Sequence, residues 1–330
     1  MLHIHNGDSS AGIAKQTSLP GEHIAWREAL VEGPTPPGLS VDDWCSVRAN
    51  HLAKAYNRNV DDCLTDLRDQ QQQLSAFSER EEVVLWFEHD LFCQINLLYL
   101  LNWFHSRDLS KTRLSLIFIG EFPGIENFRG LGELTPDQMA SLFDRRCDVT
   151  DVELALAAEA WAAYCSPDPT AIVDLLGKDT SPLPFLRKAM RLHLSRFPSV
   201  RNGLSRVGEI ALELIANGDH NFMQIFPRFW QSAPRYGLGD AQVWNEMKRM
   251  IDVKTPLLTV TGIEDLRRAG VSELKQAEFG VTEAGAAVLA GKAHFVELNG
   301  IDLWLGGAHL SEANLWQWDQ DRGRLSSGRA

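Results

Sequence analysis

Along the first 130 residues, short apolar runs alternate with helix-length segments, the pattern of a parallel α/β sheet rather than a stack of hairpins. Four strands are predicted: Leu2–His5, ending at the turn Asn6-Gly7-Asp8; Glu22–Trp26, after Leu19-Pro20-Gly21; Glu82–Phe87; and Leu114–Ile119, ending at Gly120. The third and fourth contain Val83-Val84-Leu85-Trp86-Phe87 and Leu116-Ile117-Phe118-Ile119, uninterrupted apolar runs suited to strands covered on both faces. They are expected at the sheet's centre. Between them, Leu91 to Phe104 is apolar nearly all round and too long for a strand, so it reads as a buried crossover helix. That completes a βαβ unit, right-handed by the usual rule. The prediction is an α/β N-terminal domain with a mostly parallel, Rossmann-like sheet.

Gly33-Pro34-Thr35-Pro36-Pro37-Gly38 must be extended, because proline blocks helix and biases its predecessor toward β or polyproline geometry. Helices follow at about 41–75, their start marked by Ser40 with Asp43 three residues on. Gln70 to Gln73 reads as a solvated helix face. Residues 135–146 and 150–164 read as helices, and Ser166-Pro167-Asp168-Pro169 as a boundary. The expected domains are therefore 1–165, α/β, and 166–330, mainly helical. In the latter, helices at Leu204–Ala216, Asn221–Trp230 and Asp240–Ile251 precede a β-like run at Leu257–Val260, the plan of a winged-helix-like module. Tryptophans and glycines alternate near the end (Trp304-Leu305-Gly306-Gly307, Trp316-Gln317-Trp318), which suggests short strands packed back on the body.

The 330 residues carry a formal charge of −12, too acidic for a protein that coats nucleic acid or an anionic membrane by bulk electrostatics. The charge is uneven. Residues 1–150 hold 13 Lys and Arg against 22 acids, whereas 151–330 hold 19 against 22. Residues 180–208 contain no acid and six bases: Arg187, Lys188, Arg191, Arg196, Arg201 and Arg206. The five cysteines are scattered and form no C-x-x-C pair, which indicates neither a disulfide framework nor a zinc knuckle. No basic-then-apolar leader is visible and Leu91–Phe104 is too short to span a bilayer, so a cytoplasmic protein without membrane contact is expected.

Ligands of parallel α/β sheets bind at the carboxyl ends of strands, where loops converge and helix N-termini offer free N–H groups. The residues there make a candidate ligand site: Gly7, Asp8, Ser9, Ser10 and Gly12 as an anion-cradling loop, Arg27 as a charge clamp with Glu28, and Gln94 and Glu121 beside them. Glu88, His89 and Asp90 are the candidate acid/base group, because the two carboxylates would hold the imidazole's proton more tightly. Glu88 and Asp90 serve equally as helix caps, with His89 a partly exposed loop residue, and Asp8 and Ser9 are N-cap types as well. A divalent metal on Asp8, Glu88 and Asp90 is chemically allowed, but no ligand spacing supports it, and the residues name no cofactor. Gly7-Asp8-Ser9 resembles the first block of the GDSL hydrolases, which would make Ser9 a nucleophile. The family's other blocks do not follow, and Asp302 and His309 stand seven apart.

In the second half, Arg187, Lys188, Arg191 and Arg196 are candidate contacts for nucleic acid or a protein partner. Against DNA stands the balance of residues 250–330, eight bases to eleven acids. Taken together, Leu2 to Gly12, Trp26-Arg27-Glu28-Ala29-Leu30 with Glu32-Gly33-Pro34, and Leu85-Trp86-Phe87-Glu88-His89-Asp90 with Gln94 resemble the bacterial "domain of unknown function 1835" family over roughly residues 1–130. Phe279 to Gly285 and Asn299 to Gly307 resemble the tail of such proteins. The resemblance implies a bacterial cytoplasmic protein and brings no catalytic role with it. Two functions are therefore expected side by side. One is binding of a small anionic, phosphorylated or nucleotide-like ligand at the strand ends, with hydrolase or transferase chemistry. The other is a ligand-responsive regulator whose winged-helix-like part contacts DNA or a partner.

Overall fold

The computed structural model describes residues 1–109, 111–266 and 268–328. Its first half runs β1 (Leu2–Asn6), α1 (Asp8–Ala14), β2 (Glu22–Trp26), β3 (Gly33–Pro34), α2 (Val41–Tyr56), α3 (Val60–Ser75), β4 (Glu82–Glu88), α4 (Leu91–His105), β5 (Arg113–Ile119), α5 (Pro136–Ser141), β6 (Cys147–Asp148) and α6 (Asp151–Tyr164). The second half is α7 (Thr170–Leu176), α8 (Leu186–Leu194), α9 (Arg206–Ala216), α10 (Phe222–Ser232), α11 (Asp240–Ile251), β7 (Leu258–Thr261), β8 (Glu278–Val281), α12 (Glu283–Leu289), α13 (Phe295–Asn299) and four short strands. These are β9 (Leu303–Gly306), β10 (Ala308–Leu310), β11 (Leu315–Asp319) and β12 (Arg324–Gly328).

The main sheet has the order β2-β1-β4-β5-β6, parallel except for the two-residue antiparallel edge β6. The protein is thus mixed α/β around a mostly parallel five-stranded sheet. β4 is at its centre with all seven residues buried, as its apolar run requires. β5 lies one place nearer the edge, since β6 adds only Ser115 and Leu116 pairings. Alternation along β4 divides the core. Val83, Leu85 and Phe87 pack with α4, α6 and the second half, while Val84 and Trp86 join Ile117, Leu131, Leu134 and Met139 on the other face. α4 is buried almost all round and starts at Asp90, whose side chain accepts from the Cys93 N–H at 2.9 Å. Ser40 caps α2 as its spacing predicts, and Thr135 and Thr150 complete capping boxes on α5 and α6.

Three sequence expectations need correction. The glutamine run is not a uniformly solvated face: Gln70 and Gln71 are buried, the first accepting from the Arg27 N–H at 2.5 Å and the second donating to the Tyr99 hydroxyl at 2.7 Å. The helix read at 135–146 ends at Ser141 and passes into a 3-10 turn over Phe143–Arg145. Gly33-Pro34, read only as extended, is a strand that pairs in parallel with Leu305-Gly306 of β9. Gly33 has φ 73°, and a Cβ there would run into the His51 ring, so the crossing of β3 over α2 demands glycine.

One cluster of buried side chains extends from Leu2 to Leu310, across residues 165 and 166. Backbone partners tie the same seam: the Tyr164 hydroxyl donates to the Leu30 carbonyl at 2.7 Å, and the Gly307 N–H to the Tyr164 carbonyl at 2.9 Å. Among the described residues no helix is long and apolar enough to cross a membrane. All five cysteines are free, four of them buried.

Candidate anion-binding site

At the carboxyl ends of β1, β2 and β4, the polar residues singled out by the sequence are largely engaged with one another. Asp8 and Arg27 form a bidentate ion pair, with Oδ1 to Nη2 2.7 Å and Oδ2 to Nε 2.8 Å. Both side chains are mostly exposed. The pairing holds the Asp8 carboxyl below its ordinary range. Arg27 therefore already has an anion. α1 is seven residues long and is preceded at its N-cap by Gly7, at φ 94°, which has no side chain to accept from the first turn. Ser9 donates to the Gly132 carbonyl at 3.3 Å, Ser10 is buried beneath the turn on the Gly7 carbonyl at 3.4 Å, and Gly12 lies inside α1. Glu121 is exposed beyond β5.

Glu28 and Arg48 form a buried bidentate pair, 2.7 Å and 3.1 Å, in which the guanidinium also donates to the carbonyls of Ala29, Glu32 and Pro34. Both are essentially inaccessible, at 0% and 2% side-chain exposure. Every donor has an acceptor, which is what lets a charge pair survive burial. Arg48 was not among the sequence candidates, because a single arginine in a helical pattern reads as a surface residue.

Glu88, Asp90 and Cys93 form a second closed cluster. Glu88 accepts from the Leu131 N–H at 2.7 Å and from the Cys93 thiol at 2.9 Å, while Asn6 donates to Cys93 Sγ at 2.8 Å. Gln94 donates to the Glu88 carbonyl at 2.6 Å, and Asn96 bridges the Asn6 side chain and the Glu28 carbonyl, each at 2.8 Å. Burial, reinforced by the neighbouring Asp90, pushes the Glu88 carboxyl up to about 7. Burial likewise raises Asp90 and takes the Cys93 thiol well above its ordinary value. Gly237, at φ 64°, packs so closely on Asp90 that a Cβ would overlap its carboxylate. Ligand atoms of Glu88, Asp90 and Cys93 lie within 4.8 Å of one another, a spacing that could hold a metal. In the arrangement present each takes a hydrogen bond within the chain, and Asp8 stands apart on Arg27.

On the sheet face under α1, three histidines escaped the sequence reading. His3 accepts from the Trp86 indole N–H at 3.1 Å and its other nitrogen meets the Pro20 carbonyl at 3.1 Å, which sets its proton on Nε2. His5 Nε2 and His23 Nδ1 are 3.0 Å apart, and the His3 and His23 rings stack at 4.3 Å. Burial drops His3 to about 4 and His5 to about 2, and lowers His23.

His89 differs from its neighbours. Its ring meets Phe185 at 5.9 Å and its Nδ1 has no partner. Burial lowers its pKa; Asp90 works the other way, while Arg235 and Lys188 add to the lowering. Those two cations belong to the largest of the described cavities, about 860 Å³, formed where α7, α8, the end of α10 and the turn between β11 and β12 meet. Lys188, Arg191, Arg206 and Arg235 line it together with Ser195, Tyr236 and Trp318, and none of the described lining residues is acidic. Arg206 is committed to Glu209 and Glu213. Lys188, Arg191 and Arg235 are exposed and have neither ion pair nor side-chain hydrogen bond among the described residues.

The structure thus separates the basic residues that the sequence grouped. Arg187 turns to the end of α7, donating to the carbonyls of Leu176 and Lys178. Arg196 is buried on the Val31 carbonyl and Arg201 pairs with Glu209. Lys188 and Arg191 stand free, one helical turn apart on α8. The acid-free stretch pointed to them, whereas Arg235 and Trp318 come from segments far along the chain and left no local signal. The chain matches no family model, and no curated protein matches it.

Proposed function

We propose that the protein binds a small organic anion in the cavity of α8, beside the carboxyl end of β4. The observation that carries this reading is the trio Lys188, Arg191 and Arg235, cations without ion-pair partners among the described residues around a cavity of about 860 Å³ with no described acid in its lining. Unpaired cations of like sign repel one another, and an anion supplied from solution relieves that repulsion as well as forming charge-assisted hydrogen bonds. The volume is that of a small-molecule site. His89, the acid/base candidate of the sequence, has its ring kept neutral by its lowered pKa, but it is not among the residues that line the cavity and its unpartnered Nδ1 is buried, so the reading is one of binding rather than of hydrolase or transferase chemistry. Glu88 and Asp90, buried behind it, hold its loop in place. The resemblance of residues 1–130 to the "domain of unknown function 1835" family, and the bacterial cytoplasm it implies, belong to the same proposal.

A second reading has an observation of its own. α9, α10 and α11 are followed by the antiparallel pair β7 and β8, an order that suits a winged-helix-like module and hence a ligand-responsive regulator. The bases of α11 weigh against its holding DNA: Lys248 lies over the Trp244 ring and Arg249 is bonded to Glu246.

The test is thermal unfolding of the full chain with inorganic triphosphate. Stabilisation is expected in the parent protein and in Arg27→Glu, and is expected to vanish in the Lys188→Glu, Arg191→Glu double variant. Loss in Arg27→Glu with retention in the double variant would return the site to the strand-end loop. Retention on duplex DNA at low salt, abolished by the double variant, would favour the regulator.

A further inference from the structure

Resting on the anion-binding reading of the α8 cavity, the geometry points to a nucleoside polyphosphate as its ligand, with phosphates on Lys188, Arg191 and Arg235 and the base against Trp318. Two independent features narrow the class. The first is charge. A single carboxylate or phosphate monoester would leave part of a three-cation set unmatched, whereas a di- or triphosphate chain can meet all three. Two arginines also offer the planar forks that fit phosphate oxygens. Arg206 is excluded from this count, since Glu209 and Glu213 already occupy it.

The second is an aromatic ring in the same lining. Trp318, on β11, lines the same cavity half-exposed, and its indole N–H has no hydrogen-bond partner among the described residues. Its backbone is fixed to the body, the N–H on the Pro198 carbonyl at 2.8 Å and the carbonyl accepting from Val200 at 3.2 Å, so the ring is held on a braced strand. Tyr236 is buried with its hydroxyl 2.6 Å from Ser195 Oγ, and both residues line the cavity with the cations. A planar ring presented to a cavity rimmed by cations suits a ligand with an aromatic body and a highly charged tail. Free polyphosphate would use the cations and ignore the tryptophan. A long aliphatic anion would use an apolar wall but needs no more than one cation.

Isothermal titration of the full chain without added magnesium, using ADP, ATP, GTP, inorganic triphosphate and adenosine, separates these cases. At least one nucleotide is expected to bind about tenfold or more tighter than triphosphate, the gain that base stacking on an aromatic side chain supplies. Trp318→Ala is expected to bring the nucleotide down to the affinity of triphosphate while leaving triphosphate unchanged, and Trp318→Phe to retain part of the difference. Arg191→Glu is expected to weaken nucleotide and triphosphate alike. If triphosphate binds and no nucleotide exceeds it, or if Trp318→Ala leaves a nucleotide preference intact, the nucleotide inference falls and the anion site stands. If neither triphosphate nor any nucleotide binds, both fall.

Discussion

The strand-end cluster of the sheet and the cavity beside α8 are both rich in ionisable groups, yet they have settled them in opposite ways. Around β4, the acids take their partners from the chain itself: Arg48 for Glu28, the Cys93 thiol and Leu131 N–H for Glu88, Arg27 for Asp8. In the cavity, Lys188, Arg191 and Arg235 have none among the described residues. Polar groups that answer one another contribute to the stability or the uniqueness of the fold. Those left unanswered around a void are free to contribute to binding. Acids at a strand end that the chain itself satisfies are therefore a weaker sign of a ligand site than cations with nothing opposite them among the described residues.

The sharpest way to break this contrast is Arg48→Ala. It leaves Glu28 buried without its cation, and denaturant unfolding should show a loss of roughly 3–5 kcal/mol. Triphosphate binding at the far cavity should be unchanged wherever the variant is folded. A variant as stable as the parent would show that the closed pair supports nothing.

An intermediate effect is expected from pH. Glu88 titrates near 7 in the fold against an ordinary 4.5, so its contribution is full below about 4.5 and is lost as pH rises through 7. The histidines have the opposite sign. With His3 near 4 and His5 near 2 against an ordinary 6.5, their contribution is full above 6.5 and is lost as pH falls toward those values. In melting temperature the two effects should therefore oppose each other between about pH 4.5 and 6.5, with Glu88 alone acting from 6.5 to 7 and the histidines alone below 4.5. Glu88→Gln should remove the part of the pH dependence that lies between about pH 4.5 and 7, worth on the order of 3 kcal/mol, and leave the slope below about pH 4.5 as it was. An unchanged slope over that range would mean that Glu88 is not the group responsible.

Asp8→Asn should do least. The pair with Arg27 is exposed on both sides, 59% and 68%, and such pairs are worth under about 1 kcal/mol. A small loss in stability is expected, measured by the unfolding midpoint, with no change in triphosphate affinity. A gain in anion affinity would instead show Arg27 to be a clamp that Asp8 holds shut.

Much of the fold was legible because the signals that place β4 and α4 are local. Uninterrupted apolar runs, an Asp90 before a helix and a Ser40 three residues ahead of an acid need no tertiary knowledge. Gln70 and Gln71 were misread because their partners, the Arg27 amide and the Tyr99 hydroxyl, lie far away in sequence. The site divided along the same line. Asp8, Arg27, Glu28, Glu88 and Asp90 were recognisable by residue type and position, but their mutual satisfaction is a property of distances. Arg187 and Lys188 are neighbours on one helix with different fates, decided by the carbonyls at the end of α7. No sequence pattern links Arg235 and Trp318 to α8.

The parallel pairing of Gly33-Pro34 with Leu305-Gly306 has a consequence for the order of assembly. It joins positions near opposite ends of the chain, and such long-range contacts are slow to form because a large loop must close first. During synthesis the sheet's own strands are complete long before β9 emerges, and the edge of β3 waits unpaired for most of that time. The half made first is thus finished by the half made last.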